Sequence, residues 1–380
     1  MRSFRSWGAA ATRGRRAALA LIALAAAACA PSPAPRPAAP AASATPPQDV
    51  VRSYAVCFAG VPADWAARFS QHAVAIAGGT DLHLGAVAED GRLAFGLLRR
   101  SAAEQAVGAV DLATGELTRI AALPAGAAGI GSMAAAGPWV VWEQANSAAD
   151  LGDWTVRAWD RDTGETLDLA TSRLPGGQES FGQAPLPVAG HGLVAWAQPE
   201  PRQATYPVAK VQLYDLASRR VTVLDSGRVS GPVLAGADVV WARIEADGSY
   251  SLRAVDAVTL RPARLPERVR TPGTVGYLAG SDRYLVWSGD RQELHAWRLG
   301  TNEYGDYTGD LRHPFQFLRL AGDFTLWYAG LPSTVLDLRT GRAFDVRGSL
   351  AGTDGMIAES EPARVSYAPL TPSSRIDGCG

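Results

Sequence analysis

Several features that would define a function outright are missing from this chain. There is no basic excess. The 36 Lys and Arg residues are matched by 37 Asp and Glu, for a net charge of −1. No surplus is left to neutralise a phosphate backbone, so nucleic acid is excluded as an expected partner. Lys210 is the sole lysine. The five histidines, His72, His83, His191, His295 and His313, show no i, i+2 or i, i+4 pairing. A local metal signature is therefore absent, and no cofactor is called for. Neither a Gly-x-Ser-x-Gly nucleophile elbow nor the Ser-x-Asp-x-Gly-x-Thr-Trp box of sialidases occurs. No segment sustains a 3.6-residue apolar period for long, which excludes a solenoid of helix pairs. What remains is a globular profile, 47% hydrophobic and 19% charged, with 40 glycines and 25 prolines that call for many turns.

Residues 1–28 read as an export signal. Arg2, Arg5, Arg13, Arg15 and Arg16 precede an apolar stretch, Ala17–Ala28, with no acidic residue among them. Twelve residues are too few to cross a bilayer core of about 30 Å as a helix, and suit a signal core. The run Leu24-Ala25-Ala26-Ala27-Ala28-Cys29 resembles a bacterial lipoprotein signal, in which Cys29 becomes the lipid-bearing first residue. Position −3 departs from that pattern, with Ala26 where leucine is preferred. An Ala-x-Ala secretory cleavage is the plain alternative. Residues 29–50 hold this cysteine and a Pro/Ala-rich spacer that lacks large apolar side chains and reads as extended linker. Loss of residues 1–28 removes five arginines and takes the net charge from −1 to −6.

Residues 51–380 repeat. An apolar triplet ending in an aromatic side chain recurs: Leu93-Ala94-Phe95, Val140-Val141-Trp142, Val194-Ala195-Trp196, Val239-Val240-Trp241, Leu285-Val286-Trp287 and Thr325-Leu326-Trp327. A weaker copy spans Gly355-Met356-Ile357-Ala358. Most copies follow a Gly- or Asp-containing turn, such as Asp90-Gly91 or Gly137-Pro138. A second motif follows, Asp111-Leu112-Ala113-Thr114-Gly115, with relatives beginning at Asp160, Asp215, Asp256 and Asp337 and a degraded one at Arg298. Asp and Gly at these offsets are tight-turn chemistry. Each unit then holds four antiparallel strands in roughly 45 residues, which is a propeller blade. The expected fold is an all-β, seven-bladed β-propeller over residues 51–380, with six blades as the alternative.

The Gly-x-x-Val-Val-Trp and Asp-Leu-x-Thr-Gly pattern resembles the TolB-like propellers of bacterial exported proteins. Glu89-Asp90-Gly91-Arg92-Leu93-Ala94-Phe95 matches that family's Pro-Asp-Gly-x-x-Ile-Ala-Phe run most closely. The resemblance implies a periplasmic or surface binding platform. The N-terminal α/β domain of the Tol-system member has no counterpart in residues 51–79, so a Tol-system role does not follow. His-Gly and Trp-Asp pairing of the eukaryotic WD repeat is also out of register.

The repeat tryptophans are read as packing between blades, and the repeat aspartates as turn caps. Alternation of strand direction puts the short, uniform turns on one face and the long connections on the other. The long set includes Glu143–Asp153, Thr171–Ala184, Gln198–Ala209 and Thr301–Pro314. Variable loops on one face are where a repeat scaffold carries a site. This nominates Glu143, Gln178, Phe181, Arg202, Tyr206, Tyr304, Tyr307 and His313. The expected function is a lipid-anchored, monomeric binding or scaffold module at the cell envelope. Its partner would be an envelope protein or other extracytoplasmic ligand, and it would touch the membrane only through its lipid. A secreted hydrolase or lyase with its active site on the same face is the alternative. Ring closure is expected from Val51–Phe58 and Ala73–Ala77 joining Met356–Glu359 and Arg364–Ala368. With Cys29 lipidated, Cys57 and Cys379 remain for a disulfide stapling the closing blade.

Overall fold

The computed structural model describes residues 48–377, apart from 102–103, 151, 175–179, 181–184, 202–207, 290–292, 310, 312–316 and 329–331. The leader, most of the spacer, Cys29, Gln178, Phe181, Arg202, Tyr206, His313 and Cys379 therefore lie outside the described residues.

The chain enters through β1 (Val50–Ala55), β2 (Cys57–Ala59), helix α1 (Ala63–Gln71) and β3 (Ala73–Ala75). Blade one is β4 (Asp81–Val87), β5 (Leu93–Arg99), β6 (Gln105–Asp111) and β7 (Leu117–Ala122). Blade two is β8 (Gly129–Ala136), β9 (Trp139–Ala145), β10 (Trp154–Asp160) and β11 (Thr166–Thr171). Blade three is β12 (Val188–Gly190), β13 (Leu193–Pro199), β14 (Ala209–Asp215) and β15 (Arg220–Gly227). Blade four has β16 (Val233–Ala235), β17 (Asp238–Ile244) and β18 (Tyr250–Asp256), followed by the short helix α2 (Glu267–Arg270). Blade five is β19 (Leu278–Gly280), β20 (Tyr284–Ser288), β21 (Leu294–Arg298) and β22 (Glu303–Thr308). Blade six is β23 (Arg319–Ala321), β24 (Phe324–Tyr328), β25 (Ser333–Asp337) and β26 (Arg342–Val346). Blade seven is β27 (Ser349–Thr353), β28 (Met356–Glu361) and β29 (Arg364–Pro369), completed by β3.

Seven antiparallel blades result, and the first strand of each faces the first strands of its two neighbours around a ring. Blade four is the odd one. Its fourth position is reduced to a bridge between Val255 and Pro262. Pro262 has no N–H to give the ladder, so a full strand cannot form there.

The turns are held as their composition dictates. Asp111 accepts hydrogen bonds from the N–H groups of Ala113 and Thr114 at 2.9 and 3.0 Å. Asp215 and Asp256 cap the equivalent turns in the same way. Backbone donors hold the Asp111 carboxyl below its usual range.

Each blade-to-blade interface has its own apolar core. The repeat aromatics Phe95, Trp142, Trp196, Trp241, Trp287 and Trp327 are all buried. Trp142 packs against Phe95 and Val107 of blade one, and Trp196 against Val156 of blade two. Trp241 packs against Val211 of blade three, and Trp287 against Leu252 of blade four. The triplet aromatic is thus the knob that each of these blades presents to its predecessor.

Closure differs from expectation in one respect. Ala73–Ala75 does pair antiparallel with blade seven, Val74 opposite Val365. Val51–Phe58 does not join that blade. It forms a belt on the outer edges of two others. β1 runs parallel to β22, from Val50 opposite Glu303 to Ala55 opposite Thr308. Cys57 lies opposite Arg342 in the parallel pair β2–β26. Only Val56 separates the two. Its N–H donates to Thr308 at 2.8 Å, and the next N–H, from Cys57, donates to Gly341 at 3.2 Å. Parallel edge pairing between segments some 250 residues apart leaves no local signature, which is why a strand pattern alone misplaces it.

Helix α1 then seals blades six and seven. Trp65 is fully buried among Phe324, Phe344, Val346 and Ile376. Its indole N–H donates to the Arg375 carbonyl at 2.7 Å. Arg68 donates to the Ser374 hydroxyl at 2.8 Å. The C-terminal tail is thereby held at Ser374 and Arg375.

Candidate functional site

The first strands of the blades enclose a central channel of about 1180 Å³. Its wall is mostly aliphatic, with Val188, Val229, Val233, Leu234, Leu278 and Leu320. The two mouths differ. The short-turn mouth carries Glu89, His191, Asp282 and Asp354. There the His191 and Asp282 side chains pair across exposed surface at 3.2 Å. The long-connection mouth carries Leu186, Tyr277, Phe317, Arg228 and Arg319.

A side recess of about 210 Å³ opens from the channel at the long-connection end. Blades six, seven, one and two build it. His83, Leu84 and Gly85 come from β4, Gly131, Ser132 and Met133 from β8, and Arg319 from β23. Tyr328 from β24 and Ser349 from β27 complete the rim with Phe317. The aromatic side is ordered by ring contacts. Tyr328 lies edge-on to His83 at 5.8 Å and tilted to Phe317 at 6.3 Å. Phe317 has φ 49°, in the left-handed region. That conformation costs an L residue about 1–2 kcal/mol and persists only where its surroundings impose it.

Arg319 is the chemically distinctive group. Its guanidinium donates to the Leu350 carbonyl at 3.1 Å. Among the described residues no carboxylate pairs with it. Burial pushes it down to about 10, so it still carries its charge at neutral pH. The His83 imidazole is held below its ordinary value, first by burial and then by the positive charges of Arg99 and Arg319. The Ser132 hydroxyl is buried and has no hydrogen-bond partner among the described residues.

Behind this wall sits Glu143. The ladder between β8 and β9 slips between Ile130 and Met133, forming a bulge. At its centre Gly131 comes so close to Glu143 that a Cβ there would lie 2.0 Å from Oε2. Glu143 is 2% exposed and its Oε1 has no hydrogen-bond partner among the described residues. Burial pushes its carboxyl up to about 7, against the opposing hydrogen bond from the Gly131 N–H.

The described residues nominated from sequence do not sit on exposed loops. Glu143 is in β9, buried, and lines neither cavity. Tyr304 and Tyr307 belong to β22 and are 4% and 1% exposed. Tyr307 stacks on Tyr54 of the belt at 5.1 Å and its hydroxyl donates to the Leu338 carbonyl. The segment 301–314 begins as the fourth strand of blade five, paired with β21 on one edge and with the belt on the other. Sequence reasoning missed His83, Phe317, Arg319 and Tyr328. The signal available for Arg319 was its place just upstream of the Gly322-Asp323 turn, where each blade's inner strand runs.

Among the described residues, no group of three His, Cys, Asp or Glu side chains could hold a metal ion. No helix of the described residues is long and apolar enough to cross a membrane. No protein-family model matches the chain, and no curated protein does. Solved structures do resemble it. An oligogalacturonate lyase in complex with manganese is 11% identical, with a TM-score of 0.51 over 80% of this chain and 91% of that one. The Cps50 (Swd1) propeller domain of Myceliophteria thermophila is 12% identical, with a TM-score of 0.48 over 77% and 100%. The computationally designed Ika8 protein is 15% identical, with a TM-score of 0.44 over 78% and 99%. At such identities the likeness bears on fold alone, and the sheet order fixes the fold as a seven-bladed β-propeller.

Proposed function

We propose that this protein is an exported, monomeric binding module, held at the cell envelope by a lipid on Cys29 and a Pro/Ala spacer. Its ligand, an envelope protein segment or another extracytoplasmic molecule, enters at the long-connection mouth. One observation carries this reading: that mouth combines aromatic rings with an arginine that no described carboxylate neutralises. Desolvated cationic and aromatic side chains around a preformed apolar cavity are binding chemistry. The TolB-like relationship is part of the same proposal and rests on the repeat motifs.

The Cys57–Cys379 pairing also belongs here, with a changed place of action. Cys57, in β2, is one half of the proposed bridge. Arg342, opposite Cys57 across β2–β26, forms an ion pair with Asp377 at 3.7 Å. The tail thus arrives at blade six two residues before Cys379. The bridge would staple the tail to the belt on blade six rather than to the closing blade.

Fractionation tests the proposal. Wild-type protein should sediment with membranes, and Cys29→Ala should be released to the soluble fraction. Equal solubility of the two would remove the lipid anchor. Alkylation without reduction should leave Cys57 and Cys379 unmodified. Labelling of Cys379 would refute the pairing.

A further inference from the structure

The recess beside Arg319 is built almost wholly of donors and apolar surface. The guanidinium has one carbonyl partner, from Leu350, at 3.1 Å. The Ser132 hydroxyl has none among the described residues. Leu84, Ile130, Met133, Leu326, Phe317 and Tyr328 supply much of the remaining lining, and the His83 imidazole is part of it. Arg99 and Arg319 both bear on His83 as positive charges, and the Glu143 carboxyl behind Gly131 is shifted by burial toward its neutral form. Ser349 is already occupied, since its hydroxyl is bonded to Ser360 and accepts from the Leu84 N–H at 2.8 Å.

A charge held in such surroundings is costly unless an opposite charge meets it. Elsewhere the same chain pairs several half-buried arginines with carboxylates. Arg339 is matched by Asp337 and Asp323, each at 2.8 Å, and Arg243 by Asp225 at 2.6 Å. Arg319 has a carbonyl partner and no carboxylate among the described residues, and it faces a cavity. A planar guanidinium fits a carboxylate with two parallel hydrogen bonds. The recess opens into the aliphatic channel through the shared residues Gly85, Met133 and Phe317. An acid group seated on Arg319 would leave its apolar body against Phe317 and Tyr328, directed toward that channel.

We propose that this recess binds a small organic carboxylate, with Arg319 as ionic anchor, the Ser132 hydroxyl as second donor, and Phe317 and Tyr328 against the apolar body. This rests on the binding-module reading and specifies its ligand class.

The test uses the detergent-solubilised full chain and isothermal titration with phenylacetate, its neutral counterpart phenylacetamide, and inorganic phosphate. Phenylacetate should bind saturably, and the amide should bind about tenfold to a hundredfold more weakly, the range expected for a charge-assisted pair. Phosphate, with no apolar body, should also bind more weakly than phenylacetate. Arg319→Gln should abolish the preference for acid over amide, and Arg319→Lys should restore part of it. Unfolding curves of each variant establish that it is folded. The acid–amide comparison on wild-type protein needs no variant at all. Equal binding of acid and amide would overturn the anionic ligand while leaving a binding module in place. Phosphate binding as tightly as phenylacetate would overturn the organic body. Absence of saturable phenylacetate binding by folded wild type would overturn the ligand class outright. The fractionation result for Cys29 is independent of all these outcomes.

Discussion

Glu143 gives this fold a built-in dependence of stability on pH. The side chain is 2% exposed and its carboxyl is raised from 4.5 to about 7, chiefly by burial. An acid whose folded value lies above its unfolded value holds more protons when folded across the window between the two. Stability contributed by the neutral form is present at low pH and lost as pH climbs from about 4.5 through 7. Between pH 5 and pH 8, those two values give a loss of about 2–3 kcal/mol from this one site. Glu143→Gln removes the titration and keeps an oxygen to accept the Gly131 N–H. The amide also places a donor where Oε1 has no partner among the described residues, which lowers its absolute stability. The decisive quantity is therefore the change with pH. Urea unfolding of both proteins at pH 5 and pH 8 should show Glu143→Gln gaining about 2–3 kcal/mol on wild type between the two conditions. Other titrating groups, Glu359 included, are common to both proteins and cancel. Parallel pH profiles would refute the reasoning, and would mean that Glu143 stays solvated or finds a cation in solution.

Three further outcomes follow from named contacts. Trp65→Ala should lower the unfolding free energy by about 3–5 kcal/mol, since it empties the core under α1 and frees the tail carbonyl at Arg375; thermal or urea melts read it. Gly115 and Gly164 occupy equivalent turns, both at φ +73°, but a Cβ on Gly115 would lie 2.1 Å from the Ala75 carbonyl and one on Gly164 meets nothing within 4 Å. Gly164→Ala should cost about 1–2 kcal/mol of conformational strain, and Gly115→Ala clearly more, with faster amide exchange at Ala73–Ala75; equal costs would show that β3 moves freely. Trp241→Ala should cost about 3–5 kcal/mol, as expected for a core knob whose indole N–H also donates to Asp225 at 2.9 Å.

The repeat unit and the packing element of each blade are written locally along the chain. Asp111, Asp215 and Asp256 cap their turns within three residues of themselves, so the information is local and survives in any reading of the chain. The buried triplets ending in Trp142, Trp196, Trp241, Trp287 and Trp327 are legible for the same reason: an apolar strand needs cover on both faces, and a blade supplies it. Features that depend on pairing across hundreds of residues emerge only once the ring has closed. Val51–Phe58 reads as strand from sequence, but the open edges of β22 and β26 placed it on blades five and six. Pairing with β21 on one edge and the belt on the other makes Tyr304 and Tyr307 buried strand residues rather than loop candidates. Glu143 looked like the start of a loop, and a bulge at Gly131 buried it. Arg319 looked like any of 36 basic residues until ring closure brought it beside His83 and Ser132. Turns and apolar periods are set by neighbours in the chain. A site at the centre of a ring is set by the order in which seven sheets close, which no single segment encodes.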